Sequence, residues 1–179
     1  MLTYLKDQFL GFGFKRERIL MPVLKPVKGC YFIKWLHAGL YKDAAYLESH
    51  SNENFLKESD IRNLMTRSHK IGGFVITELH KPIGYTIYEQ SNGVMDIFNL
   101  VVHQDYRNRG IATLLLDKLE SRSNWDKMVL SVRESNLDAQ LFLKKKGFVA
   151  KIRKRYYEDY FVGGVKYEDA YYFEKDREI

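Results

Sequence analysis

The chain has 179 residues, of which 45% are hydrophobic, and carries a formal net charge of +6. This length is typical of one compact domain, and its apolar runs are far shorter than the roughly 20 residues of a membrane-spanning helix. Cys30 is the only cysteine, which excludes an internal disulfide and a multi-cysteine metal site. The five histidines lack HxxxH spacing, so we expect no bound metal. The positive charge favours an anionic ligand or partner.

Residues 1–29 form a segment with a composition of its own. Lys6 and Asp7 interrupt its apolar start, and a small-residue cleavage pattern is missing, so it makes a poor signal peptide and a cytoplasmic protein is expected. The rest of the segment mixes aromatic and basic residues. We expect an extension that packs on a domain formed by residues 30–179; contact with a second subunit or with a membrane surface is the alternative.

The next part of the chain reads as one strand, two helices and a β-meander. CYFIKWL (30–36) is rich in β-forming residues, and the stretches 43–49 and 59–67 are helix-like. IGGFVITELHKPIGYTIYEQSNGVMDIFNLVV (71–102) contains three strands separated by the turn signals HKP and SNG.

The second half alternates helices and strands. Ile111, Leu114, Leu115 and Leu119 recur at helical spacing, which predicts an amphipathic helix lying on a sheet. A strand is predicted over 125–132, a helix over 136–146 that ends at Gly147, and a final strand pair over 148–157 and 166–175. The pattern predicts an α/β domain with a mixed, mostly antiparallel sheet flanked by helices.

The turn before the amphipathic helix carries unexpected charges. A helix amino terminus has partial positive charge and normally attracts acidic residues, but Arg107 and Arg109 stand there. Together with Gly110 and Ala112 they form the pattern R-x-x-G-x-A, in which small residues let an anion approach several backbone N–H groups. An anion site is one interpretation, and a solvated helix start with two chance arginines is the other.

Several ordered segments resemble one enzyme superfamily. FNLVVHQDYRNRGIATLLLDKLE (98–120) resembles the acetyl-CoA motif of the GNAT superfamily of N-acetyltransferases, and VRESNLDAQLFLKKKGF (132–148) resembles its second motif. RKRYY and YEDA are similar to pieces of the branch formed by ribosomal-protein-alanine (RimI-like) and protein amino-terminal acetyltransferases. The resemblance covers roughly residues 31 to 175 and implies the GNAT fold.

The resemblance also implies a binding site for acetyl-CoA. Its pantetheine arm would pair with Leu100, Val101 and Val102, and Asn136 would contact the arm, although a helix cap explains Asn136 equally well. The pyrophosphate would be held by the turn and first helical residues, namely Arg107, Asn108, Arg109, Gly110, Ile111, Ala112 and Thr113.

The catalytic positions depart from the pattern of the branch. Its base is a strand glutamate and its acid a helix tyrosine, and the matching positions here hold Ser131 and Leu143. Asp96 matches the strand position at which histone acetyltransferases of the superfamily carry their catalytic glutamate. We therefore expect Asp96 to be the base, acting through a water, with a structural carboxylate as the alternative. Glu134 and the tyrosines of the last two strands are weaker candidates.

Tyr156 and Tyr157 match a tyrosine pair that lines the peptide entrance in amino-terminal acetyltransferases, and packing is the competing role. The expected function is transfer of an acetyl group from acetyl-CoA to a protein or peptide amine by direct attack in a ternary complex. A small-molecule amine is the alternative acceptor. A non-catalytic module that binds CoA or nucleic acid is a weaker hypothesis, because the sequence has no recognisable nucleic-acid motif.

Overall fold

The computed structural model describes residues 30–51, 56–158 and 167–177, and the predictions for residues 1–29 lie outside this part. Seven strands form one sheet in the order β1-β2-β3-β4-β5-β7-β6. The strands are β1 (Tyr31–Trp35), β2 (Ile71–Glu78), β3 (Lys81–Ser91), β4 (Val94–Val102), β5 (Lys127–Arg133), β6 (Val149–Glu158) and β7 (Tyr167–Asp176). The helices are α1 (Tyr41–Ser49), α2 (Glu58–Arg67), α3 (Ile111–Glu120) and α4 (Leu137–Lys145). None of the helices described is long and apolar enough to cross a membrane.

The predicted meander is confirmed, with one turn displaced. β2 and β3 are joined by Leu79 and His80, whose φ angles are +46° and +69°, and the expected turn at HKP therefore lies one residue earlier. Asn92 and Gly93, with φ of +52° and +77°, join β3 to β4 as expected from SNG. Two positive φ values are typical of the type I′ turn, whose twist matches that of paired strands.

The sheet is mixed and mostly antiparallel, as predicted. β4 and β5 are the parallel pair, connected through α3, and the other neighbouring strands are antiparallel. A parallel pair requires a crossover of this kind, because a hairpin reverses the chain.

Helices cover the two faces of the sheet unequally. One face packs against α3 in a cluster that includes Leu115, Leu119, Met128 and Phe173 and extends across β2 to β7. The other face packs against α1 and α2 in a cluster whose sheet residues come from β2, β3 and β4. Within the described chain, the cover of α1 and α2 therefore ends at β4, and the corresponding face of β5 and β7 has no helix over it.

Two predicted boundaries shift for local reasons. Trp125 lies before β5 instead of starting it, because its buried side chain turns back so that Nε1 donates to the Glu120 carbonyl at 3.1 Å. Asn136 precedes α4 and caps it, with Oδ1 accepting from the Ala139 N–H at 3.2 Å. Gly147, with φ of +85°, ends this helix as predicted.

A buried carboxylate ties α1 to the middle of the sheet. Glu48 is 1% exposed, and it accepts hydrogen bonds from the Tyr85 hydroxyl, from Asn99 Nδ2 at 2.9 Å and from the Leu56 N–H at 3.4 Å. A buried charge is tolerated only when donors replace the water that it loses. The three donors come from β3, β4 and the segment before α2, so this network fixes the position of α1.

We expect Tyr85→Phe to lower the free energy of unfolding by about 1–3 kcal/mol, because the ring stays in the core while Glu48 loses a donor. Denaturant unfolding followed by circular dichroism measures the change. Tyr46→Phe is the control, since Tyr46 is 38% exposed, and it should change stability by no more than about 0.5 kcal/mol. Equal effects of the two variants would contradict the role of the network.

Candidate active site

β4 and β5 part after three paired residues. Val94, Met95 and Asp96 lie opposite residues 127–129, and beyond Asp96 the two strands continue without pairing in the described structure. An unpaired strand edge presents a row of N–H and C=O groups that an extended ligand can bind. The result is a wedge-shaped gap inside the sheet, with Asp96 at its narrow end.

An irregularity in β4 accompanies the separation. On β3, Ile87 pairs with Asn99 and Tyr88 pairs with Ile97, so Phe98 is an extra residue without a partner. A bulge of this kind bends its strand and increases the local twist. Phe98 lies immediately after the paired part of β4, which is where β4 must turn away from β5 for the gap to open.

The gap-facing groups of β4 follow from its pairing with β3. The His103 N–H donates to the Ile83 carbonyl at 3.0 Å, and in an antiparallel ladder alternate residues face the partner strand. The main chain of Val101 therefore faces β3, whereas the main-chain groups of Leu100 and Val102 face the gap. The Val102 carbonyl already accepts from Ser51 Oγ at 3.2 Å and from Arg107 Nε at 3.5 Å. Of the three predicted residues, Leu100 therefore offers its main-chain groups to an extended arm, and Val102 offers its N–H.

The chain leaves β4 through a turn that exposes the start of α3. Asn108 and Gly110 have φ of +59° and +81°, and the first helical hydrogen bond runs from the Leu114 N–H to the Gly110 carbonyl. The N–H groups of residues 111–113 therefore have no acceptor within the helix and point out of its first turn. A Cβ built on Gly110 meets no atom within 4 Å. The space in front of these donors is open.

The two arginines of the turn have different contacts. Arg107 Nη2 donates to the Ser51 carbonyl at 3.0 Å, and its Nε donates to the Val102 carbonyl at 3.5 Å. Its guanidinium thus links the segment after α1 to the end of β4. Arg109 lies over the Tyr106 ring at 5.0 Å and is exposed beside the helix start. Arg109 is the better placed of the two to meet an anion.

Asp96 alternates with Met95 and Ile97, which pack toward α3, so its side chain lies on the opposite face, beside the uncovered face of β5. Its side chain is exposed, but neighbouring strands partly desolvate the carboxyl group, and this, followed by the negative charge of Glu89, raises its pKa. Glu89 lies directly opposite on β3. Tyr172 on β7 is close enough that burial first, and then the charges of Asp96 and Glu174, raise the pKa of its hydroxyl.

Of these neighbours, Glu89 was missed at the level of sequence, whereas Tyr172 is one of the tyrosines of the last two strands that were the weaker candidates. The two-residue turn at Asn92 and Gly93 pairs Ser91 with Val94, and counting back along this hairpin already places Glu89 opposite Asp96. The approach of Tyr172 could not be found in this way, because it depends on how β7 inserts beside β5.

The other predicted positions are distributed as follows. Ser131 is exposed on β5 and pairs with Tyr172, whereas Leu143 is buried in the core. Both are consistent with the expectation that neither serves as base or acid. Tyr156 and Tyr157 fall on β6, but their side chains lie outside the described part of the structure.

The comparisons with known proteins agree on the class of this fold. The sequence matches the model of the acetyltransferase (GNAT) family over residues 29–148, whereas none of the curated protein sequences matches. The structure of the ribosomal-protein-S18-alanine N-acetyltransferase from Escherichia coli superposes with a TM-score of 0.71 at 23% identity, covering 82% of this chain and 93% of that one.

Two further structures share the fold, and one of them names a small-molecule acceptor in its title. Ard1 from Thermoplasma volcanium has a TM-score of 0.70 at 18% identity, covering 82% of this chain and 97% of its own. The spermidine/spermine N-acetyltransferase SpeG from Vibrio cholerae has a TM-score of 0.63 at 18% identity, covering 82% and 92%.

The mixed sheet that opens between its parallel strands thus belongs to an acetyltransferase. The chain is a member of the GNAT family, and the enzymes of this family are N-acetyltransferases that use acetyl-CoA. Among the residues described, no group of three or more His, Cys, Asp or Glu side chains could hold a metal ion.

Proposed function

We propose that this enzyme acetylates a protein or peptide amine, as the ribosomal-protein-alanine branch does, with acetyl-CoA bound between β4 and β5. The observation that carries the proposal is the gap that opens at Asp96 onto an uncovered face of the sheet. A donor held in the gap from one side would meet an acceptor that arrives over this face.

The gap and the turn fit the two ends of the donor. The gap-facing main chain of Leu100 and Val102 suits an extended amide-containing arm, which could add hydrogen bonds like those of a further strand. The open space before residues 111–113 suits a pyrophosphate, because several N–H groups converge there at the positive end of a helix. Asn136 has its Oδ1 engaged in capping, so only its amide NH₂ could reach the arm.

Asp96 is proposed to accept the proton of the amine. The amine attacks only in its neutral form, and the proton must pass to a group near the reacting atoms. The carboxyl lies where the strands part, and its raised pKa makes it a stronger base than an ordinary aspartate. Its short side chain favours transfer through one water molecule.

Tyr172 is proposed to return a proton to the departing thiolate. It faces the same side of the sheet as Ser131, its partner on β5, and therefore lies beside the gap. Burial and the neighbouring carboxylates raise the pKa of its hydroxyl, so the proton is present at neutral pH. Tyr172 thus supplies the function that Leu143 cannot.

One observation favours a small polyamine as a second candidate acceptor. Glu89 and Asp96 place two carboxylates opposite each other on the uncovered face, although the whole chain has a net charge of +6. Paired carboxylates attract a cationic amine. A lysine side chain or a spermidine-like molecule would both benefit.

An acceptor screen separates these candidates. We expect peptides with a free amino terminus, or lysine peptides with a blocked one, to give a higher kcat/KM than spermidine at equal acetyl-CoA concentration. An amino-terminal amine has a pKa near 8 against about 10.4 for lysine, so it needs less help from a base. Mass spectrometry of the products measures the transfer. If spermidine is acetylated and none of the peptides is, the acceptor is a polyamine and the proposal of a peptide acceptor is wrong.

Gly110→Val should weaken the binding of acetyl-CoA by at least about tenfold, because the side chain enters the space before the helix start. Calorimetry with desulfo-CoA measures the affinity without turnover. Gly147→Val is the matched control: Gly147 has a similar φ of +85°, so it imposes comparable backbone strain, but it lies at the far end of α4. Equal affinities of the two variants for desulfo-CoA would contradict the proposal that the turn at Gly110 binds the pyrophosphate.

Asp96→Asn should lower turnover by roughly a hundredfold to ten-thousandfold while leaving the affinity for desulfo-CoA unchanged. The same change should raise thermal stability at pH 7, because a raised native pKa means that the folded state disfavours the charged carboxylate. This gain in stability is fully present when the pH is above the pKa of Asp96 in the folded protein. It disappears as the pH falls through that pKa toward the lower pKa of Asp96 in the unfolded chain.

Asp126→Asn is the control for this pair of effects, since Asp126 is an exposed carboxylate just before β5. It should leave turnover unchanged. If Asp96→Asn lowers stability and leaves the pH–rate profile unaltered, Asp96 is a structural residue.

A further inference from the structure

A second cavity lies at the opposite end of α3 from the glycine turn. It has a volume of about 570 Å³ and is bounded by the end of β1, the start of β2, the end of β3 and the segment that follows α3. α3 has ten residues, which separates its two ends by roughly 15 Å. The cavity is therefore distinct from the glycine turn, and its volume is within the ordinary range for small-molecule sites.

An arginine is held in this cavity by aromatic rings. The Arg122 guanidinium lies 5.1 Å from the Trp35 ring centre and 5.5 Å from that of Tyr88. Phe74 is buried behind Trp35, with the two ring centres 4.5 Å apart, and supports the indole from the core side. Contacts between a cation and aromatic faces fix the position of the guanidinium and leave its N–H groups for other partners.

The charge of Arg122 is uncompensated in the described part of the protein. Its Nε is buried without a hydrogen-bond partner, and no carboxylate there lies within ion-pair distance of it. A buried donor without an acceptor is rare and costs free energy. Because no carboxylate of the described chain neutralises the guanidinium, its positive charge is available to an anion in the cavity.

The remaining lining has the chemistry of an anion site. Lys70 lies on the wall and has a neutral partner, the Ser91 hydroxyl, at 3.1 Å. His69 and the amides of Gln90 and Asn124 complete the polar side, and none of the lining residues is Asp or Glu. Trp35 is 44% exposed, so part of its flat indole is available to a ligand.

We propose that this cavity binds a small organic anion, whose carboxylate or phosphate group is held by Arg122 and Lys70 and whose flat apolar part lies against Trp35. Arginine suits this role because its planar guanidinium presents paired N–H donors to two oxygens of one oxyanion. The site does not depend on the proposed acetyl acceptor, because it shares no residue with the gap or the glycine turn.

Three probes test the proposal on the full chain: benzoate, phenyl phosphate and inorganic phosphate, each titrated by calorimetry and by tryptophan fluorescence. We expect benzoate or phenyl phosphate to bind with a change in Trp35 emission, and the stronger of the two identifies the oxyanion. Arg122→Gln should weaken this binding at least tenfold. Trp35→Leu should weaken the aromatic probe more than inorganic phosphate.

Two controls separate this cavity from other sites. Arg62→Gln removes an exposed arginine that pairs with Glu58 on α2, and it should leave probe binding unchanged. Gly110→Val should also leave it unchanged, whereas loss of binding in that variant would assign the probes to the start of α3.

Lys70→Gln is a second test that does not depend on the folding of the Arg122 variant. Lys70 is exposed, so we expect Lys70→Gln to fold normally and to bind the probe severalfold more weakly than the parent. Thermal unfolding checks the fold of each variant. The proposal is overturned if the folded parent binds none of the probes, or if binding is insensitive to both Arg122→Gln and Lys70→Gln.

Discussion

The separation of β4 from β5 is the constraint on which the rest of the site depends. Parallel strands in a continuous sheet satisfy each other's main-chain groups, and here they do so only as far as Asp96. The bulge at Phe98 bends β4 away, so that the groups of Leu100 and Val102 face a gap inside the sheet. Because the gap is built from backbone, the chain can vary its side chains widely and still present it.

The covered and the uncovered parts of the sheet differ in the environment that each gives to a carboxylate. Where α1 and α2 lie over β2, β3 and β4, the polar group at the centre is Glu48, which is buried and fully supplied with donors. Where the helices end, Asp96 stands beside Glu89 with an elevated pKa. Glu48 is stabilised by its donors, whereas Asp96 is in an environment less favourable to its charged form, a property that agrees with the role proposed for it.

Three arginines differ in the groups that their guanidinium contacts. Arg107 is committed to two carbonyls and joins α1 to the end of β4. Arg109 is held beside the helix start by the Tyr106 ring. Arg122 is stacked between Trp35 and Tyr88 without an anionic partner in the described chain. Two N–H donors of Arg107 are therefore engaged by main-chain carbonyls, whereas the contacts of Arg109 and Arg122 are to aromatic rings.

The sequence by itself determined the local elements and the class of fold. Alternating apolar residues, the Asn92–Gly93 turn and the spacing of Leu115 and Leu119 act over a few residues, so the meander and α3 could be read directly. The motif around Gly110 likewise depends on a short stretch with one required backbone conformation, a positive φ. Boundaries are less exact, because the turn at Leu79 and His80 is displaced by one residue and the start of β5 by two.

Only the tertiary structure decided which distant groups meet. Whether Arg107 faces an anion or the Ser51 carbonyl depends on where the segment after α1 lies, and the approach of Tyr172 to Asp96 depends on β7 pairing with β5. The stacking of Arg122 requires β1, β3 and the end of α3 to converge. Contacts of this kind join residues tens of positions apart, and they are set by packing and strand order, which a local pattern of residues does not encode.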